Sequence, residues 1–240
     1  MKVTYIYQDG VLVETENASL IFNYSQGKMP RISKDKPLFV FISGSIADNY
    51  NQDIFHWGAK NDNVYYVVAN DNIKNKKFRF RFFYNHNIEK ETLKKILFTD
   101  PDQTYKYHGL TIKTLDTCDG NRGCAFLVKI GKETVFHAGH LNEWSWPNMK
   151  EEKIAEAVRD YHKEVNKIAD APIDAAFLIL NPSQEEMYAK GFDYFMRKCN
   201  VREVYPIHFK DDRKIISFLL QDPVSEPYRD KIRMTPDYTF

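Results

Sequence analysis

Pro37-Leu38-Phe39-Val40-Phe41-Ile42 is an unbroken apolar run of β-branched and aromatic residues, closed at once by Ser43-Gly44. A segment this short and this apolar reads as a buried strand, which places functional groups in the loop that follows it. Val64–Ala69 and Ile173–Leu180 have the same character, the second stopped by Asn181-Pro182. Buried strands need cover on their faces, so the chain must fold in layers.

The first quarter carries short apolar segments at 2–7, 11–15 and 18–23, separated by Asp9-Gly10 and Glu16-Asn17. These turn dipeptides predict two tight hairpins. A short helix is expected to start near Asp53, and strands are expected at 103–107, 110–115, 124–130 and 133–137. Residues 70–100, rich in Asn and Lys, give no clear periodicity. In 150–169, Ile154, Ala155, Val158, Tyr161, Val165 and Ile168 recur at helical spacing and make one apolar stripe, with His162 off its middle and expected to face solvent. Ser183 is a candidate N-cap for a helix at 184–198. A strand at 202–207 and a helix near 213–220 complete a strand-helix alternation, and two packed sheets covered by helices is the economical architecture.

At 240 residues the chain can bury a substantial core without disulfides or a structural metal. Its formal net charge is +1 with acids and bases dispersed, so neither a nucleic acid nor a membrane surface is an expected partner. The basic stretch 74–81 interleaves aromatics with charge, and reads as a solvated edge strand or hairpin. Cys118, Cys124 and Cys199 are odd in number and form no C-x-x-C pair, which argues against a disulfide framework and a zinc knuckle. Cys118 has no evident base beside it and reads as an inert, partly buried thiol. No apolar run approaches a membrane span, and the N-terminus reads as a strand, so a cytoplasmic protein is expected.

Three strand ends carry groups able to do chemistry: Asp48-Asn49, His137-Ala138-Gly139-His140, and His208. Each alone has an ordinary reading, as a loop acid, a surface histidine and a hydrogen-bonded core histidine. Together with Tyr5–Glu14, Leu20–Tyr24, 37–51, Gly123–Val128, Val135–Asn142 and Tyr205–Phe209, they resemble the metallo-β-lactamase fold, in particular small bacterial metal-dependent hydrolases related to the ascorbate-phosphate lactonases. The resemblance implies an α/β fold, a four-layer αββα sandwich of two mixed β-sheets flanked by helices. It also implies a single domain over 1–240, with pseudo-symmetric halves of about 1–115 and 116–240, and metal ions between the sheet edges.

The family's loop is His-x-His-x-Asp-His, followed later by an aspartate and a last histidine, enough donors for two metals. On this chain the first two histidine positions fall on Gly44 and Ile46, which cannot ligate, and the last falls on Asn49, a weak donor. Asp48 keeps the aspartate position, His140 stands where the later aspartate is expected, and His208 keeps the final histidine. A two-metal centre is therefore not expected. The segment Thr117–Gly123 is longer than its counterpart in relatives by about two residues, which reshapes the rim, and Trp144 and Trp146 follow the altered ligand segment.

Two functions follow. The reading the sequence favours is a homologue that has lost two-metal hydrolysis and binds an unidentified small molecule or protein. The alternative is a hydrolase with one divalent metal (zinc, iron or manganese) held by Asp48, His140 and His208, with Asp119 or His137 as the orienting group or general base.

Overall fold

The structure is a computed structural model that describes residues 1–44, 49–70, 88–120, 123–210 and 212–234. The basic stretch 74–81 and Asp48 lie outside the described residues.

The first sheet takes β1 (Lys2–Tyr7), β2 (Gly10–Glu14), β3 (Ser19–Phe22), β4 (Leu38–Ile42), β5 (Val64–Ala69) and β6 (Ile96–Thr99), in chain order across the sheet. The second takes β7 (Thr104–Tyr107), β8 (Leu110–Asp116), β9 (Cys124–Ile130), β10 (Glu133–His137), β11 (Pro172–Ile179) and β12 (Asn200–Ile207), in the order β12-β11-β10-β9-β8-β7. In both sheets the hairpin-linked strands pair antiparallel, and those joined by longer connections pair parallel. Each sheet is therefore mixed, and the chain passes from one to the other between Thr99 and Thr104.

The apolar runs explain the layering. Along β4, Phe39 and Phe41 point into the core shared with the second sheet, while Leu38, Val40 and Ile42 point to the opposite face, where Ile54 and Phe55 cover them. A strand sealed on both faces has no polar alternation to show, which is why 37–42 reads as a continuous apolar run. Phe55 opens a short helix, α1 (Phe55–Lys60), and α2 (Lys90–Leu93) packs beside it. On the second sheet the cover is α3 (Glu151–Asn166) and α4 (Lys190–Lys198), which bury Tyr161, Val165, Phe192 and Phe195. α5 (Lys214–Gln221) follows β12. The αββα sandwich implied by the resemblance is what forms.

Two local expectations need correction. Asn181, not Ser183, caps the segment after β11: its side chain accepts the Ser183 N–H at 3.0 Å, because Pro182 takes the first helical position, where no N–H is needed. The helix expected over 184–198 is also broken: Glu185, at φ 50, kinks a 3-10 segment, Pro182–Met187, from within, and α4 begins only at Lys190. His162, expected to face solvent, is partly exposed, with its ring stacked on Tyr194 at a centroid distance of 3.4 Å. Among the described residues, no helix is long and apolar enough to cross a membrane.

Candidate metal centre

The tip of the first hairpin provides the deepest group. Gln8 adopts φ 53 and Gly10 follows Asp9 so closely that a Cβ there would stand 2.8 Å from the Tyr7 carbonyl oxygen. A turn acid normally meets water, yet Asp9 is 0% exposed. The hairpin tip docks on the strand ends of the other sheet: the Gln8 carbonyl accepts the His208 N–H at 3.1 Å, and the Asp9 carbonyl accepts from His137 Nε2 at 2.9 Å. The Asp9 carboxylate is thereby delivered to the ends of β10 and β12.

His137 closes β10 and is fully buried against Phe22, whose ring stacks on it at 4.8 Å. Its Nδ1 accepts the Gly139 N–H at 3.0 Å while Nε2 donates to Asp9, which assigns the neutral tautomer. Burial pushes its pKa down to about 4, against the smaller upward pull of the Asp9 carbonyl and carboxylate. With both nitrogens committed, His137 holds the site together and has no nitrogen left to take a proton from a water.

Gly139, at φ 56, turns the chain so that His140 returns over the strand ends; a Cβ there would come within 2.7 Å of the Ser43 Cβ and 2.8 Å of the Cys124 carbonyl. His208 leaves β12 with φ 62, a left-handed backbone that a non-glycine residue holds only where its surroundings enforce it. Here the docked hairpin does so, through the backbone bond to Gln8 and through Nδ1–H of His208, which donates to Asp9 Oδ1 at 2.8 Å.

His140 lies between two carboxylates: Nε2 is 3.5 Å from Asp9 Oδ2, and Nδ1 is 3.5 Å from Asp119 Oδ2. Burial by itself would push the imidazole down, but Asp119 and Asp9 outweigh it and hold the pKa at about 10. Burial would likewise raise Asp9, but the charge of His208 and the contacts with His140 hold its carboxyl well below the usual carboxylate range. Asp119 is itself fixed, its Oδ1 accepting from Thr117 Oγ1 at 2.9 Å.

The Asp9–His140 contact is the informative one. Both Asp9 Oδ2 and His140 Nε2 are buried with no hydrogen-bond partner. Their 3.5 Å separation is longer than the ~2.7–2.9 Å of a charge-assisted hydrogen bond. Two donors each about 2.1 Å from one tetrahedral ion stand roughly 3.4 Å apart. Asp9, His140 and His208 present donor atoms all within 4.8 Å of one another, a carboxylate and two imidazoles that fit one divalent metal. Trp144 forms one wall, its indole N–H donating to the His140 carbonyl at 2.9 Å and its ring 6.0 Å from that of His208; Trp146 stacks behind it at 5.7 Å.

Of the residues singled out from sequence, His137, His140, His208 and Asp119 come together with Asp9. Asp48 and Ile46 lie outside the described residues. Asn49 is buried, and its Oδ1 accepts from Asn23 Nδ2 at 3.4 Å within a knot that also ties Ser43, whose N–H donates to Asn23 Oδ1 at 3.0 Å. Asp9 was absorbed by the turn signal of Asp-Gly, although it lies in the stretch Tyr5–Glu14 that carried the resemblance. Cys118 is half-buried, and burial with the Glu164 and Asp116 carboxylates pushes its thiol well above the usual range, consistent with an inert side chain.

No protein-family model matches the chain, and no curated protein matches it. Solved structures do. The chain is similar to Igni18, a metallo hydrolase from the archaeon Ignicoccus hospitalis, at 12% identity and a TM-score of 0.63, covering 97% of this chain and 94% of that one. It is similar to the metallo-β-lactamase fold protein YhfI from Bacillus subtilis at 13% identity and a TM-score of 0.53, covering 86% and 85%. CmlA, a diiron β-hydroxylase from Streptomyces venezuelae, aligns at 11% identity and a TM-score of 0.60, covering 96% of this chain and 52% of that one. Likeness at this identity carries the fold: this chain has the metallo-β-lactamase fold.

Proposed function

We propose that the chain is a metal-dependent hydrolase with one divalent metal held by Asp9, His140 and His208. The observation that carries this is the pair of buried atoms without hydrogen-bond partners, Asp9 Oδ2 and His140 Nε2, set 3.5 Å apart beside His208. The sequence-based ligand set is thereby altered, with Asp9 from the hairpin tip as the buried acid. When bound, such an ion would supply Lewis-acid polarisation of a substrate oxygen and lower the pKa of water.

The remaining residues act on this set. Asp119 faces the second nitrogen of His140 and orients the ring, as carboxylates behind ligating histidines commonly do. His137 fixes the Asp9 backbone. The half-buried Trp144 shields one side from water. Hydrolysis is the chemistry named for Igni18, whereas CmlA is named for a hydroxylation, so the reaction must be tested separately from the metal.

A second reading has its own observation. His140 between Asp9 and Asp119 is a charge-compensated cluster, acid, imidazolium, acid, that can stand without metal in a non-hydrolytic binder of a small molecule or protein. Metal analysis after loading with zinc, iron(II) or manganese separates the two. The proposal expects about one equivalent in the wild type and less than a tenth in Asp9→Asn and His140→Ala, with the loaded wild type hydrolysing a lactone, phosphodiester or thioester probe. Failure of the folded wild type to take up any of the three metals would leave the charge-compensated binder; uptake without turnover would keep the metal and discard hydrolysis.

A further inference from the structure

A crevice of about 440 Å³ lies between α3, α4 and the two 3-10 segments, Pro182–Met187 and Pro223–Lys231, and none of Asp9, Asp119, His140 and His208 lines it. Its volume is that of a small-molecule site. We infer that it is a second binding site, for a small organic ammonium ion carrying an apolar or aromatic body, with the Glu143 carboxylate as its anchor. The inference is independent of the metal centre.

The anchor is built in. Glu143 is 4% exposed, and its backbone is fixed on both sides: its carbonyl accepts from Gln184 Nε2 at 2.8 Å, and a Cβ on Gly191 would stand 3.0 Å from its N. Only a glycine lets α4 start this close to the loop. His162 lies at ion-pair distance, with Nε2 3.5 Å from the carboxylate. Burial pushes the His162 imidazole down from its ordinary value, so the ring does not neutralise the acid at neutral pH. No lysine or arginine nitrogen among the described residues comes within ion-pair distance of Glu143; burial pushes its carboxyl up from the ordinary value, against the smaller downward pulls of the exposed Lys190 and of the Ser145 hydroxyl.

Glu186 and Lys190 of the lining are exposed, and the half-buried carboxylates are already engaged. Asp193 holds Arg197 at 2.8 and 2.9 Å, and Asp222 accepts from the Tyr188 hydroxyl at 2.7 Å and the Val224 N–H at 2.9 Å. Glu143 is thus the one buried lining charge without a fixed cation, a costly arrangement that a ligand cation would relieve. The walls suit the same ligand: the stacked His162–Tyr194 pair and Tyr188 present ring surface, to which an ammonium is attracted and against which an apolar body packs.

Calorimetric titration with phenethylammonium, phenethyl alcohol and phenylacetate tests the charge preference on one carbon frame. The expected result is one-to-one binding of the ammonium, about tenfold or more tighter than either analogue. Glu143→Gln should weaken the ammonium about tenfold and leave the alcohol unchanged, and Tyr194→Leu should weaken it in a folded protein even if the buried substitution disturbs folding. His140→Ala should bind as the wild type does, which separates this site from the metal centre. Equal binding of alcohol and ammonium, preference for phenylacetate, or no binding at millimolar concentration would overturn the inference.

Discussion

At the scale of single residues, the centre is a problem of proton against metal. His140 has its pKa raised to about 10 from an ordinary 6.5, so the stabilisation it gives the metal-free protein is complete below about 6.5 and is lost as pH rises toward 10. Asp9 is shifted the other way: its contribution is present above its ordinary 3.8 and is lost only as pH falls through its depressed value. Urea unfolding of chelated protein should therefore show wild type falling relative to His140→Gln from neutrality to pH 10, by on the order of a few kcal/mol at about 1.4 kcal/mol per tenfold change in proton affinity. Parallel curves for the two proteins would mean that His140 is not held as an imidazolium. The same residues mark what could be read in advance. His140 and His208 are legible because histidines at strand ends are few and lie in matched segments. Asp9 is not, because Asp-Gly at a hairpin has a complete local explanation, and its burial depends on a docking made nearly two hundred residues later in the chain.

At the scale of elements, close approach between backbones decides how the strand ends meet. Gly123 immediately precedes β9, and a Cβ there would lie 2.1 Å from the Ser43 carbonyl oxygen, the atom that accepts the Cys124 N–H at 2.9 Å. That bond ties the end of β4 to the start of β9. Because the obstruction is backbone rather than a flexible side chain, Gly123→Ala should cost about 1–3 kcal/mol, read as a lower denaturation midpoint. An unchanged midpoint would mean that the two strand ends separate freely. Elements of this kind were largely legible: the doubly buried strands, the hairpins and the long helix α3 follow from apolar runs, turn dipeptides and helical spacing. The segment after β11 was not, because a helical stripe over 184–198 cannot reveal a left-handed residue at Glu185 that divides it.

At the scale of the whole molecule, the three proposed ligands come from places that only the assembled sandwich brings together: the tip of a first-sheet hairpin, and the ends of β10 and β12 in the second sheet. An unfolded chain holds Asp9 and His208 with no fixed separation, so a metal recognising all three binds the native state alone, and its binding free energy becomes folding free energy. The linkage is quantitative. At a free metal concentration one hundred times the dissociation constant, the native state gains about 2.7 kcal/mol. For a chain of this length that corresponds to a rise in Tm of roughly 5–10 °C. Calorimetric scans of chelated and zinc-loaded protein should show this rise for the wild type and its loss in Asp9→Asn, whose neutral amide keeps the shape of the hairpin tip but lacks the anionic donor. A rise of the same size in Asp9→Asn would place the metal elsewhere. The hairpin would then be a structural clamp, and His140 and His208 would lack the third ligand proposed here.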